Sequence, residues 1–299
     1  MQGIGLPLQH INNVQEYYDY AAQLNIGTPA DKLRILLTNE ALQGVAGATP
    51  MFAKRWIPEL PENFLISFVI RSHFPFSWFT PWIDVLKQEI DVTIGYNRGG
   101  TTANSDALSE VAFHELTHAA HYNKVGNALW SDYVEAVLFE MNFSNNPPYG
   151  NGNAGARSDI IALGESWAYH MGQFLADQKY GLNSSETDNG QFRYVNNSII
   201  PGSSHINALE DFSPDRLDDP DRWIPQGLYY DLMDNRNDNT AFPVRVLLED
   251  QVTNYTNQQF FDALDDDIRS LRAFQTRLLF ENGNNQAAGV NTIFDFYVR

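Results

Sequence analysis

Two histidines four residues apart, His114 and His118, with Glu115 between them, are the residues of this chain best suited to chemistry. They form the pattern His-Glu-Leu-Thr-His within an apolar-periodic run, 105–125, that reads as a helix. Residues four apart on a helix differ by about 40° in azimuth and about 6 Å in rise, so both imidazoles leave one face. They can then share one Zn²⁺ while Glu115 leans over a water on the metal. Zinc lowers the pKa of such a water towards about 7, and the carboxylate takes its proton, which is the chemistry of peptide hydrolysis.

Catalytic zinc uses three protein ligands, so a third donor is needed. Glu165 is the best candidate. It lies 47 residues after His118 in a second helical run and follows Gly164, which permits close helix approach. It stands amid Ile160, Ile161, Leu163 and Trp167, where an unpartnered carboxylate is costly. A metal would offset that cost; a surface position or an ion pair with Arg157 is the alternative. His121 is the rival ligand, but it lies about 10 Å along the axis from His114, and a straight helix cannot bring all three rings to one ion. It reads as a cleft-lining or exposed group. His170 points away from Glu165 on a regular helix and reads as structural. Donors for an oxyanion are Tyr229, Tyr230 or His205, the tyrosines being equally readable as core. The acidic loops 215–221 and 234–238 lack the spacing of an EF-hand and read as solvated.

These residues need elements to hold them. Expected helices cover 11–24, 29–42, 105 to about Gly126, 131–143 and 158–180. Strands are expected at 64–70 and 91–96, the second followed by the turn Asn97-Arg98-Gly99-Gly100 that leads to the motif helix. The aromatic and proline-rich stretch 74–82 reads as a packed loop, and 145–157 and 181–204 as polar loops. Beyond them lie a short helix at 225–233, a capping box of Thr256 and Gln259, and helices at 266–281 and 286–297.

The 299 residues, 43% hydrophobic and 13% aromatic, are those of a globular protein. Acidic residues outnumber basic ones 37 to 19, a net charge of −18, which argues against nucleic acid or an anionic membrane surface as partner. With no cysteine, thiolate ligands, thiol nucleophiles and disulfides are excluded, leaving His and carboxylate as metal donors. No apolar run of about 18 residues exists, so no transmembrane segment is expected. The Asn-rich, Lys-poor composition suits an exported protein whose leader has been removed, at the cell surface, in a periplasm or secreted.

Two helices crossed on zinc, one with HELTH and the other with GESWA, resemble the gluzincin class of zinc metallopeptidases over roughly 105–180. More loosely, HELTHAAHY, GESWAYHMG and PQGLYYDLMD are similar to a group of bacterial zinc-binding surface proteins and lipoproteins. The resemblance implies His114, His118 and Glu165 as ligands, Glu115 as general base, and a peptide or protein substrate pairing with edge strand 91–96. It implies an α+β fold: a zincin-like catalytic unit of a small sheet, the HExxH helix and the Glu helix, with a mainly helical C-terminal lobe. The divisions are an N-terminal helical and irregular segment (1–60), a catalytic subdomain (61–180) and a helical subdomain (181–299).

One departure matters. Thermolysin-like members carry Asn before the ligand Glu and, four residues after it, an Asp that orients a zinc histidine; here Gly164 and Tyr169 stand in those places. Two functions therefore compete. One is a zinc-dependent metallopeptidase. The alternative is a non-catalytic surface binding or scaffold protein with a structural or vestigial zinc, for which His121 or His205 would supply a fourth protein ligand.

Overall fold

Helix α1 (Gly5–Leu24) turns Asn13, Tyr17 and Ala21 inwards at four-residue spacing and leaves Asn12, Gln15 and Asp19 exposed. It opens the computed structural model of the chain, which describes residues 5–38, 92–95, 97–98, 101–102, 105–143, 149–150, 152, 155–180, 223–233 and 252–298. After α1 come strands β1 (Ile35–Thr38), β2 (Val92–Gly95), β3 (Asn97–Arg98) and β4 (Thr101–Thr102). Helices α2 (Ser105–Phe143), α3 (Ala156–Tyr180), α4 (Leu228–Met233), α5 (Asn257–Ala263), α6 (Leu271–Glu281) and α7 (Ala287–Tyr297) complete the order.

Strands β1 and β2 pair in parallel with Ile35 opposite Val92, and β3 meets β4 antiparallel over two residues. Val92 and Ile94 are fully buried against Ala112 and Ala119 of α2. The expected α+β class is corrected here: the described residues are mostly helical, and the pairings never grow into a sheet that forms a layer. Two strands of four residues bury too little to stand alone and survive by packing on a helix. The helix expected at 29–42 is also corrected over its described part. Asp31 and Lys32 form a turn, Lys32 with φ 66°, and the apolar Ile35-Leu36-Leu37 run extends to pair with β2. Strand 64–70, loop 74–82, His205 and the loops 181–204, 215–221 and 234–238 lie outside the described residues.

Helix α2 consists of two arms. Gly126 interrupts it with φ 73° and ψ −165°, and a Cβ there would meet nothing, so backbone conformation rather than space demands glycine. The sequence places a helix end at this residue and a new helix at 131–143; the structure joins the two without a loop. Helix α3 runs antiparallel along both arms. Its Ile160 and Ile161 pack with Trp130, Tyr133 and Val134 of the second arm, and its Trp167, Met171 and Leu175 share a core with Phe113 and Leu116 of the first.

That same core takes in Tyr17 of α1, Tyr229 of α4, Phe260 of α5, Phe274 of α6 and Phe294 of α7. Each of these aromatics is fully buried, worth about 1.5–3 kcal/mol apiece in apolar surface removed from water. Helix α5 begins with the expected capping box, Thr256 accepting from the Gln259 amide while the Gln259 side chain takes the Thr256 N–H. Helix α6 starts at Leu271 rather than 266, because Ser270 caps it by accepting from the Ala273 N–H.

Candidate metal centre

The antiparallel packing of α2 on α3 decides where the candidate ligands sit. Two glycines of α3 let the helices close. A Cβ at Gly172 would lie 3.0 Å from the Glu110 carbonyl and 3.1 Å from His114 Cβ, and one at Gly164 would lie 2.8 Å from Cε2 of Tyr133. At the far end, Lys179 Nζ reaches Glu16 Oε2 at 2.6 Å and Asn13 Oδ1 at 2.7 Å, tying α3 to α1. Glu165 is thereby carried over the face of α2 that bears the histidines.

The three side chains converge. His114 Nε2 lies 3.1 Å from His118 Nε2, Glu165 Oε2 is 3.3 Å from His114 Nε2, and Glu165 Oε1 is 3.5 Å from His118 Nε2. A tetrahedral ion with bonds of about 2.0–2.1 Å spaces its ligand atoms about 3.3–3.4 Å apart, so the donors already have the separations an ion imposes. The donor set also fits a borderline metal: two imidazoles and one carboxylate, buried apart from a partly exposed His114. Glu165 Oε2 is buried and, among the described residues, has no hydrogen-bond partner beyond its approach to His114. Burial by itself would raise the Glu165 carboxyl; the charge and hydrogen bonding of the two imidazoles outweigh it and hold the group well below the usual carboxylate range.

Glu115 is buried beside them, and its charge reaches both Tyr133 and Tyr149, which places it at the same cluster. Arg157, the alternative partner for Glu165, instead sits 3.7 Å from Glu140 Oε1 and over the Phe139 ring. His121 does not join the group. It is buried with its ring edge-on to Trp130 at 5.6 Å, and burial, then the charges of His118 and Lys124, push it down to about 3. It is held neutral, not presented as a ligand.

His170 has a different setting. Its Nε2 meets Asn257 Oδ1 at 2.8 Å, and Trp167, Phe174, Tyr229, Tyr230 and Phe260 surround the ring. Burial pushes it down to about 4 against the opposing hydrogen bond to Asn257. Tyr229 and Tyr230 line His170, so these two of the three expected oxyanion donors lie in the core.

Tyr133 is the residue that sequence reasoning passed over. Its hydroxyl donates to Glu165 Oε1, and its ring packs on Trp130 at 4.6 Å and His118 at 5.9 Å. Burial first, then the Glu165 charge, raise its phenol well above 10, so it remains a donor. Tyr169, four residues after Glu165, stacks edge-on to His114 at 4.7 Å and offers a ring rather than a carboxylate. His118 Nδ1 is buried and meets no acceptor among the described residues. The signal for Tyr133 was Gly164, read as permitting close approach; what approaches is this ring. Comparison with known proteins finds no match: no family model, no curated protein and no solved structure is similar to this chain.

Proposed function

We propose that the protein is a zinc-dependent hydrolase, most simply a metallopeptidase, with His114, His118 and Glu165 as metal ligands and Glu115 as general base. One observation carries the reading: three donors from two helices, two of them buried and His114 partly exposed, meet at 3.1–3.5 Å, in a chain whose sequence offers no thiolate. Held by His114, His118 and Glu165, a zinc ion would supply Lewis acidity towards a carbonyl oxygen and would make a water easier to deprotonate. The chain's own residues do the rest. Glu115 holds and transfers the proton, taking it from water and passing it to the leaving amine. Tyr133 donates to Glu165 Oε1, and the rings of Trp130 and Tyr133 flank buried His118, a setting of low dielectric that strengthens charge interactions.

The experiment is metal analysis together with peptide-library cleavage for wild type and Glu115→Gln. The expected outcome is one equivalent of zinc in both proteins, chelator-sensitive cleavage by wild type and none by the variant. Cleavage retained in Glu115→Gln removes Glu115 from the mechanism, and cleavage indifferent to chelator removes the metal. A non-catalytic zinc-binding surface protein is the second reading, and the observation that favours it is that Tyr169, against His114, presents a ring and no carboxylate to orient that imidazole. It predicts bound zinc in both proteins and cleavage in neither.

A further inference from the structure

The two oxygens of Glu165 have different surroundings. Oε1 accepts from the Tyr133 hydroxyl and lies 3.5 Å from His118 Nε2, whereas Oε2 has, among the described residues, only its 3.3 Å approach to His114 Nε2. Tyr133 is itself tightly placed. Trp130 stands edge-on to its ring at 4.6 Å, the ring tilts at 40° over His118, and on the other side there is room for hydrogen alone at position 164. The second arm of α2 delivers it, and Gly126 sets that arm's direction with a backbone conformation few other residues adopt. A phenol held on three sides and aimed at one oxygen of a buried carboxylate can fix the rotation of that carboxylate.

We propose that Tyr133 is the positioning residue of this metal centre: by engaging Glu165 Oε1 on the His118 side it fixes the rotation of the carboxylate and leaves Oε2, on the His114 side, as its one free donor oxygen. The proposal rests on the metal-site reading above. Outer partners of metal ligands commonly set affinity by about 10- to 100-fold, because an unrestrained ligand must be ordered when the ion binds. Tyr133 fills that role here, acting on the carboxylate where an Asp would have acted on a histidine.

The test is competition for Zn²⁺ and Co²⁺ against a chromophoric chelator, using full-length wild type, Tyr133→Phe, Tyr133→Leu and His114→Ala. Expected results are stoichiometric binding by wild type, no retention by His114→Ala, and about 10- to 100-fold weaker binding by Tyr133→Phe. The visible Co²⁺ spectrum of Tyr133→Phe should also change intensity, as a freed carboxylate adds its second oxygen. Tyr133→Leu should lose no more affinity than Tyr133→Phe if the hydroxyl is what matters. Equal binding by wild type and Tyr133→Phe with an unchanged Co²⁺ spectrum overturns the positioning role and leaves the metal site standing. Failure of wild type to bind either ion overturns the site and this proposal with it. Should Tyr133→Phe not fold, Gly164→Ala keeps the hydroxyl but displaces the ring, and the same loss of affinity is expected; undiminished affinity in that folded variant overturns the role.

Discussion

His118 and His170 are both buried, and both belong to the paired helices α2 and α3, yet their neighbours differ in kind. His118 faces a second imidazole at 3.1 Å and a carboxylate at 3.5 Å; its Nδ1, like that of His170, meets no partner among the described residues. His170 faces one amide oxygen at 2.8 Å and a ring of aromatics. Two imidazoles and a carboxylate crowded together form a group that could hold a metal ion. An imidazole in hydrocarbon with one neutral partner is held uncharged and is part of the packing. Burial is common to both, so burial alone does not distinguish a ligand from a core residue; the charge and valence of what it faces does.

The strongest test of that contrast is a crossed pair of variants. His118→Ala should retain no metal after gel filtration. His170→Leu should retain a full equivalent but unfold more easily, by about 1–3 kcal/mol, because the Asn257 amide loses its partner. Elemental analysis and urea titration read the two effects separately. If His170→Leu also sheds metal, the two regions are one cooperative unit and the contrast fails.

Acid should separate them next. Folded His170 takes up its proton only near pH 4, whereas in the unfolded chain it does so near 6.5. Between those values the unfolded state holds more protons, so the His170 contribution is complete above pH 6.5 and is lost as the pH falls towards 4. The window of about 2.5 units corresponds to roughly 3 kcal/mol. Glu165 acts lower: its carboxyl is depressed in the fold, so its contribution is present above the ordinary carboxylate value of 4.5 and is lost below it. Urea midpoints measured from pH 7 to pH 4 should therefore slope less in His170→Leu than in wild type. Parallel slopes would show that His170 is not the group titrating.

What the sequence disclosed about these regions follows from how local each signal is. The spacing of His114 and His118 is a property of one helix turn, and the Thr256–Gln259 capping box spans three residues, so both are legible without a fold. Glu165 was legible because an acidic residue after Gly164 in an apolar run is locally anomalous. Tyr133 was not, since its approach depends on the turn at Gly126 and on the antiparallel register of α3 along α2. Strand β1 was missed for a similar reason. Ile35-Leu36-Leu37 is apolar enough for helix or strand, and only the distant Val92–Gly95 decides it. The expected sheet rested on two apolar runs, of which the described one finds, among the described residues, one partner strand.

The smallest effect bears on the His170 side alone. Asn257, the partner of that imidazole, is the first residue of α5, and Thr256 immediately before it closes the helix with its capping box. Thr256→Ala removes the oxygen that accepts from the Gln259 N–H and leaves the first turn of α5 to fray, at a cost of about 1 kcal/mol. Fraying there loosens Asn257 and with it the hydrogen bond that opposes the burial of His170, so the imidazole should titrate still lower by NMR. Metal affinity, set across α2 and α3, should not move. A Thr256→Ala protein that keeps the His170 titration but binds metal more weakly would reverse the assignment of the two histidines to separate regions.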